Sequence, residues 1–166
     1  MECSAYLDVE TTGLSPNYGK LTVIGIHFDH DHQNEVVQLV GSEITAPRLI
    51  DLIKEVSMLY TYNGTRFDLP FIRAKLGVEL TDYCKHRDLM YDCWQKNIYG
   101  GLKRVERELG IERKITDIDG FQAVKLWYDY EYGGSEYALL SLLEYNKEDV
   151  VNLKAITEHV IKRLKH

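Results

Sequence analysis

The segment YLDVETTGL at residues 6–14 sets two carboxylates into a short run of apolar residues. The alternation over residues 6–10 predicts a β-strand. Because side chains two positions apart in a strand point to the same side, Asp8 and Glu10 would share one face, opposite the apolar side chains. Two adjacent carboxylates repel each other, which raises one pKa, and a divalent ion relieves this conflict. A strand whose polar face meets water is the alternative that this pair leaves open.

Further strands follow along the chain. Residues 21–28 and 35–40 are rich in β-branched side chains, and the polar segment HDHQN at residues 30–34 predicts a turn between them. Together with the first strand, they form a predicted antiparallel meander. Residues 58–62 predict one more buried strand, which ends at an Asn-Gly pair.

Helical periodicity dominates the remainder of the chain. It predicts helices at residues 47–56, 69–76, 102–109, 120–130, 135–143 and 146–164. Thr45 is placed to cap the first of these helices, and Gly77 and Gly110 are placed to end the second and third. A meander, a helix, another strand and then helices indicate an α/β fold, in which helices pack against a mixed sheet.

Composition limits the classes of protein that fit. The chain has 166 residues, 45% of them apolar, which suits a single domain over residues 1–166. No apolar run reaches the roughly 20 residues of a membrane span and no leader pattern is present, so we expect a cytoplasmic protein without a membrane partner. The net charge of −6 argues against a protein that simply coats phosphates. The three cysteines form no C-x-x-C pair, so buried thiols are expected rather than zinc.

Two further segments contribute carboxylates. Asp68 lies in YNGTRFDLPF at residues 62–71, and, taken alone, it fits the N-cap of a proline-started helix better than a functional role. Tyr145 and Asp149, in YNKEDV at residues 145–150, are four positions apart and share a helix face. Asp has a poor helix propensity, so its presence there needs a reason. A solvated helix face with charged neighbours is the alternative.

In this order, the three segments resemble the motifs of the DEDD superfamily, also called DnaQ-like 3′–5′ exonucleases. The Tyr-x-x-x-Asp spacing is similar to that of its tyrosine subgroup, DEDDy. RDL at residues 87–89 and GLKRVE at residues 101–106 resemble the predicted-exonuclease, RNase H-like branch of that superfamily. The resemblance extends over residues 6–153.

The resemblance implies an RNase H-like fold and a 3′–5′ exonuclease that hydrolyses DNA or RNA with two Mg²⁺ or Mn²⁺ ions. Asp8 would bridge both ions, and Glu10 and Asp149 would complete the tighter site. Asp68 would hold the second ion, and Tyr145 would orient the attacking water. Mg²⁺ prefers oxygen ligands, and paired ions activate water and stabilise the leaving oxygen. Because the pKa of a tyrosine is about 10, Tyr145 is assigned a positioning role and not that of a base.

A single-stranded 3′ end is the expected nucleic-acid partner. The predicted substrate-binding residues are Thr11, Asn63, Arg66 and Phe67. Basic residues are concentrated in the stretch at residues 66–114, and those expected to hold upstream phosphates are Arg66, Arg73, Lys103 and Arg104.

Two other functions compete with this interpretation. A catalytically silent nucleic-acid-binding module would be expected to lose at least one of the four carboxylates, and all four are present. An RNase H-like endonuclease is disfavoured by the Tyr-x-x-x-Asp element, which belongs to the exonuclease pattern.

Several polar groups receive no catalytic role. A set of five is interpreted as a solvated hairpin, because turns favour such residues: His27, Asp29, His30, Asp31 and His32. Asp88 is interpreted as a supporting residue near the site, and the tyrosines as half-buried helix residues.

Overall fold

A computed structural model describes residues 2–31 and 33–161 and contains a five-stranded mixed sheet flanked by helices. The strands are β1 (Ser4–Thr11), β2 (Leu21–His30), β3 (Gln33–Val40), β4 (Met58–Thr61) and β5 (Lys85–Asp88). The α-helices are α1 (Ala46–Ile53), α2 (Asp68–Leu76), α3 (Leu89–Gln95), α4 (Leu102–Leu109), α5 (Gly120–Glu131) and α6 (Glu136–Val160). This arrangement confirms the predicted α/β class.

The first three strands form the predicted meander. β1 pairs antiparallel with β2, and β2 pairs antiparallel with β3. β2 and β3 extend further than predicted, so that His30 pairs with Gln33, and Asp31 has a φ of 47°. His32 lies outside the described residues.

The other two strands run parallel to β1. The order across the sheet is β3-β2-β1-β4-β5, and both the β1–β4 and the β4–β5 pairings are parallel. The carboxyl ends of β1, β4 and β5 therefore meet at one edge of the sheet. In α/β sheets this edge is where ligands bind.

Capping residues fix the ends of three helices as predicted. Thr45 caps α1 by accepting a hydrogen bond from the backbone N–H of Arg48. Gly77 and Gly110 follow α2 and α4 with φ values of 67° and 72°, a left-handed conformation that favours glycine.

Two expectations about the helices need correction. The two predicted helices at residues 135–143 and 146–164 are one continuous helix, α6, because no proline or glycine interrupts the chain between them. Leu164, at the end of the second predicted helix, lies outside the described residues. The sequence also gave no indication of α3, which is only seven residues long and begins at Asp88 as its N-cap.

Both faces of β1 are covered. Leu7 and Val9 pack into the core beneath α1 and α2, whereas Tyr6 on the opposite face packs with residues of α3, α4 and α6. The face of β1 that carries Asp8 and Glu10 is therefore not a solvent-exposed sheet face, which was the alternative for this pair. Cys3 and Cys93 are buried, Cys84 is half-buried, and all three thiols are free. Among the described residues, no helix has the length and apolar character needed to cross a membrane.

Candidate metal centre

Three carboxylates converge where β1 meets α6. One oxygen from each of Asp8, Glu10 and Asp149 lies within 4.8 Å of the other two. Asp8 and Glu10 share a face of β1, and Asp149 faces them from the middle of α6. Glu10 is 9% exposed and Asp149 is 6% exposed, so the cluster is largely enclosed by protein. Three closely spaced hard oxygen donors are suited to Mg²⁺ or Mn²⁺.

Asp68 approaches the same strand from α2. It is 3% exposed, and its Oδ2 accepts a hydrogen bond of 3.3 Å from the backbone N–H of Val9. The alternative weighed for Asp68 alone, that it caps α2, does not hold. The helix begins one residue earlier, with Phe67 at the N-cap, so Asp68 falls within the first turn and reaches β1 instead.

Burial and mutual repulsion favour protonation of these carboxylates. Removal from water raises the pKa of Asp8 well above its usual value, and the charges of Asp149 and Glu10 raise it further. The pKa of Glu10 is raised for the same reasons, burial first and Asp149 second. Burial also raises the pKa of Asp68 to about 7. The site is therefore unfavourable for bare carboxylates, and a proton or a cation relieves the repulsion.

Tyr145 lies beside this cluster and is covered by two cations. Lys103 Nζ is 4.7 Å and Arg113 Cζ is 5.3 Å from the centre of its ring. Tyr145 is 6% exposed, and burial together with the charge of Asp149 raises its pKa far above the ordinary value. Its hydroxyl is therefore protonated at neutral pH. Lys103 also donates a hydrogen bond to the backbone carbonyl of Ile118.

The sequence interpretation missed Arg113, which pairs with one of the carboxylates. Its Nη2 donates to Asp149 Oδ1 at 2.5 Å, and its Nη1 contacts both oxygens of Glu106 at 2.9 and 3.0 Å. The side chain of Arg113 is 7% exposed and that of Glu106 is 1% exposed. Asn152 donates a further hydrogen bond to Glu106. A buried glutamate on α4, within the GLKRVE segment, was the signal that could have pointed to this network.

A second missed residue is Asn146, which connects β3 to Asp8. Its Nδ2 donates to Asp8 Oδ2 at 3.4 Å, and its Oδ1 accepts from Gln38 Nε2 at 3.0 Å. Gly25, the partner of Asp8 across β1 and β2, makes room for this contact. A Cβ at Gly25 would lie 2.0 Å from Asn146 Oδ1.

Asp88 holds the turn that precedes Asp68. Its Oδ1 accepts from the backbone N–H of Asn63 at 2.8 Å, and its Oδ2 accepts from Thr65 N–H at 3.1 Å. It also accepts from Met90 N–H, which caps α3. Asp88 thereby fixes the segment between β4 and α2, from which Phe67 and Asp68 extend.

The residues expected to contact substrate are separated into two groups. Thr11 and Phe67 line a cleft of about 550 Å³ together with Asp8, Glu10, Tyr145 and Asp149. Asn63 forms the turn after β4 with a φ of 61°, and Arg66 is exposed and lies over the Trp94 ring.

Among the basic residues expected to hold phosphates, two are already in ion pairs away from the cleft. Arg73 pairs with Glu79 at 3.1 Å, and Arg104 pairs with Glu108 at 3.2 Å. Both ion pairs are solvent-exposed. None of the four basic residues predicted to hold phosphates lines the cleft.

One part of the hairpin interpretation was wrong. His27 is 3% exposed rather than solvated, because α6 packs over this part of β2. Its Nε2 contacts Asn34 Oδ1 at 3.1 Å, and burial lowers its pKa. His30 and Asp31 are exposed as expected.

Comparison with known proteins identifies the superfamily of this chain. Residues 5–161 match the family model of the RNase_H superfamily. The chain belongs to this superfamily. An uncharacterised protein of Bacillus subtilis (strain 168), YprB, is 26% identical over 175 residues. That alignment covers 96% of this chain and only 42% of the Bacillus protein.

Solved structures confirm the RNase H-like fold of this superfamily member. The family B DNA polymerase of Pyrobaculum calidifontis matches 95% of the chain with a TM-score of 0.74 and 18% identity, although the match covers only 24% of the polymerase. Brucella melitensis NrnC bound to pGG matches 98% of the chain with a TM-score of 0.67 and 22% identity, over 73% of NrnC. NrnC with bound Mg²⁺ matches 96% of the chain with a TM-score of 0.63 and 24% identity, over 74% of NrnC.

Proposed function

We propose that this chain, acting as one domain, is a metal-dependent 3′–5′ exonuclease of the tyrosine type that acts on single-stranded nucleic acid. The observation that carries the proposal is the convergence of Asp8, Glu10 and Asp149 on one point, with Asp68 held against the same strand. Of these three converging carboxylates, Arg113 neutralises only Asp149, and among the described residues no ion pair involves Asp8 or Glu10, so the enclosed arrangement favours a site that binds divalent ions.

The donor set fits Mg²⁺ or Mn²⁺. Asp8, Glu10 and Asp149 would hold such ions directly, and Asp68, which is held against β1, would support them. When bound, the ions would supply an activated water and stabilise charge on the leaving oxygen. The comparison with NrnC supports this choice, because that protein has been solved with bound Mg²⁺.

Side chains of the chain itself would position the substrate. Tyr145 carries its proton at neutral pH, so its hydroxyl would donate or accept a hydrogen bond to orient the attacking water and would not act as a base. Leu14 and Phe121 lie at the rim of the cleft and are 83% and 85% exposed, which leaves them free to contact a terminal base. Phe67 and Thr11 would complete the walls of the same pocket.

Nucleic acid as substrate is supported by the neighbouring structures. NrnC has been solved with pGG, and Escherichia coli exonuclease I with a dA16 oligonucleotide. The order of the motifs and the tyrosine in the third of them favour attack at a 3′ end.

Digestion of end-labelled and circular single strands tests the direction of cleavage. With Mg²⁺ or Mn²⁺ present, a strand labelled at its 5′ end should shorten one nucleotide at a time, and a circular strand should survive. DNA and RNA strands are compared in parallel. Immediate release of a labelled mononucleotide from the 5′ end would contradict the proposed direction of attack, and efficient cutting of the circle would contradict the proposal in favour of an endonuclease.

A further inference from the structure

A group of aromatic side chains lies on the surface beyond the carboxylates. Trp94 on α3 contacts Tyr91 edge-on at a centroid distance of 5.2 Å and Tyr99 at 6.5 Å. Tyr91 is 36% exposed, Tyr99 is 51% exposed and Trp94 is half-buried. Arg66 lies over the Trp94 ring, with Cζ 5.4 Å from its centre. We call these four residues the Trp94 surface.

The Trp94 surface carries positive charge that nearby carboxylates do not neutralise. Within the described parts of the chain, neither Arg66 nor the exposed Lys96 forms an ion pair. Arg87, by contrast, is paired with Asp92 at 2.6 Å. In a protein with a net charge of −6, the unpaired guanidinium of Arg66 over the Trp94 ring favours an anionic partner that also presents flat rings. Lys96, two positions after Trp94 in the sequence, is a second cation without an ion pair among the described residues.

One turn of the chain joins this surface to the cleft. Arg66 and Phe67 are consecutive, and the first lies on Trp94 while the second lines the cleft with the carboxylates. The connection is held firmly, because Asp88 accepts hydrogen bonds from Asn63 and Thr65 in the same turn. The loop that carries Tyr99 is also fixed, since Tyr62 Oη donates to the Gly100 carbonyl at 2.5 Å.

We infer that the Trp94 surface binds the bases and phosphates of a single strand upstream of the nucleotide held at the carboxylates. Aromatic side chains stack on bases without regard to sequence, and a cation beside them neutralises the adjoining phosphate. Bases are free to stack in this way only in a single strand. The inference rests on the proposed function for its substrate class, but it concerns binding and not cleavage.

Binding and cleavage are therefore measured separately on the full chain. Affinity is measured in EDTA by fluorescence anisotropy, with labelled single strands of about ten nucleotides as DNA and as RNA. Tryptophan fluorescence is followed with unlabelled strands, and cleavage is measured with Mg²⁺ on the same preparations. The variants are Trp94→Ala, Trp94→Phe, Arg66→Ala and Tyr132→Ala.

Tyr132 supplies a matched control. It stacks on Tyr128 at 5.6 Å and is 78% exposed, so it is an aromatic surface of similar character. The cations near it are neutralised, because Lys20 pairs with Glu131 and Lys125 pairs with Asp129. This pair lies at the far end of α5 from the cleft-lining residue Phe121.

Trp94→Ala should weaken binding by about tenfold, the usual effect of losing one stacked base. Trp94→Phe should retain most of the affinity, because a phenylalanine ring still stacks on a base. It should lose most of the change in tryptophan fluorescence, because the remaining tryptophan, Trp127, is buried and does not contact the strand. Arg66→Ala should lower the slope of log affinity against log salt by about 0.7, as expected for one phosphate contact on a single strand. Tyr132→Ala should bind like the wild type.

The outcomes separate this inference from the proposed function. If the wild type cleaves but Trp94→Ala and Arg66→Ala bind like Tyr132→Ala, the inference is wrong and the nuclease proposal stands. If the variants lose affinity as expected but no preparation cleaves, the surface is supported and the nuclease proposal fails. If the wild type does not bind single strands at all, the inference is overturned. Arg66 is exposed, so Arg66→Ala decides the question even if Trp94→Ala does not fold.

Discussion

Arg113 Nη2 lies 2.5 Å from Asp149 Oδ1, so one of the three clustered carboxylates is already paired with a fixed positive charge. The same guanidinium contacts Glu106 at 2.9 Å and Glu148 at 3.6 Å. Although burial raises the pKa of Asp149, Arg113 opposes that rise and so favours the ionised form of this carboxylate. Arg113 thus acts on the candidate metal centre through Asp149 and does not line the cleft.

Replacement of Arg113 by Ala should strongly destabilise the fold. The substitution leaves Glu106 and Asp149 buried without their shared cation, which typically costs about 3–5 kcal/mol. Urea unfolding in EDTA measures the loss, and added Mn²⁺ should restore part of it. The control is Arg73→Ala, which removes an exposed ion pair and should cost less than about 1 kcal/mol. Equal losses for the two variants would show that the buried network contributes little.

The pH dependence of stability should report the raised carboxylate pKa values. The ordinary pKa of an aspartate is 3.8, and the pKa of Asp68 in the folded chain is about 7. Between these values the folded chain keeps a proton that the unfolded chain has lost, so this group lowers the free energy of unfolding as pH rises. Asp68→Asn should therefore gain stability relative to the wild type over that range, on the order of 4 kcal/mol by neutral pH.

Urea unfolding of both proteins in EDTA, at several pH values, makes this comparison. Both proteins contain His27 and His86, whose lowered pKa values make the free energy of unfolding rise with pH. Taking the difference between the two proteins removes this contribution and leaves that of Asp68. Divalent ions should reduce the difference, because they favour the ionised carboxylate. A difference that is constant with pH would contradict the shifted pKa.

Local patterns were sufficient to predict most of the sheet and the helix ends, but not the contacts between distant segments. The alternation in β1 and the glycines after α2 and α4 act within a few residues, so they can be recognised in the sequence. Arg113 is separated from Asp149 by 36 positions and belongs to no periodic pattern. Its role depends on how the loop after α4 packs against α6, which local spacing does not encode.

The errors at single residues have a similar cause. Taken alone, Asp68 fitted a cap because an acid before a proline usually is one, and the helix start differs by only one residue from that alternative. His27 was assigned to the solvent because its neighbours in sequence are turn residues. The packing of α6 on β2, which buries it, is a tertiary feature.

Gly25→Ala should disturb Asp8 through Asn146. The added methyl group would overlap Asn146 Oδ1, so the amide must move away from Asp8, and such overpacking typically costs about 1–3 kcal/mol. Cleavage should decrease together with stability. The control is Gly101→Ala, where a Cβ meets no atom within 4 Å.

A double-mutant cycle identifies the cause of that loss. Asn146→Ala makes room for the methyl group, so Gly25→Ala should cost about 1 kcal/mol less in the Asn146→Ala background than in the wild type. Equal costs in both backgrounds would mean that Gly25 acts through some other neighbour.

Tyr145→Phe should slow cleavage by about 10- to 100-fold without weakening Mn²⁺ binding, because the hydroxyl is proposed to orient water and not to hold an ion. Single-turnover rates and a Mn²⁺ titration are measured on the same protein. Tyr137→Phe is the matched control on the same helix, since Tyr137 is 80% exposed. An unchanged rate would assign Tyr145 to packing alone, whereas lost Mn²⁺ affinity would place its hydroxyl in the metal site.

The proposed nuclease activity depends most directly on Asp8, which lies at the centre of the carboxylate cluster. The decisive measurement is the rate of mononucleotide release from a 3′-labelled single strand in Mg²⁺, for the wild type and for Asp8→Asn. In EDTA, we expect the variant to melt at the wild-type temperature or higher, because one repulsive charge is removed. Its rate should fall by about 10³-fold or more, which corresponds to about 4 kcal/mol of barrier. A folded Asp8→Asn protein that releases nucleotides at the wild-type rate would contradict the proposed metal centre.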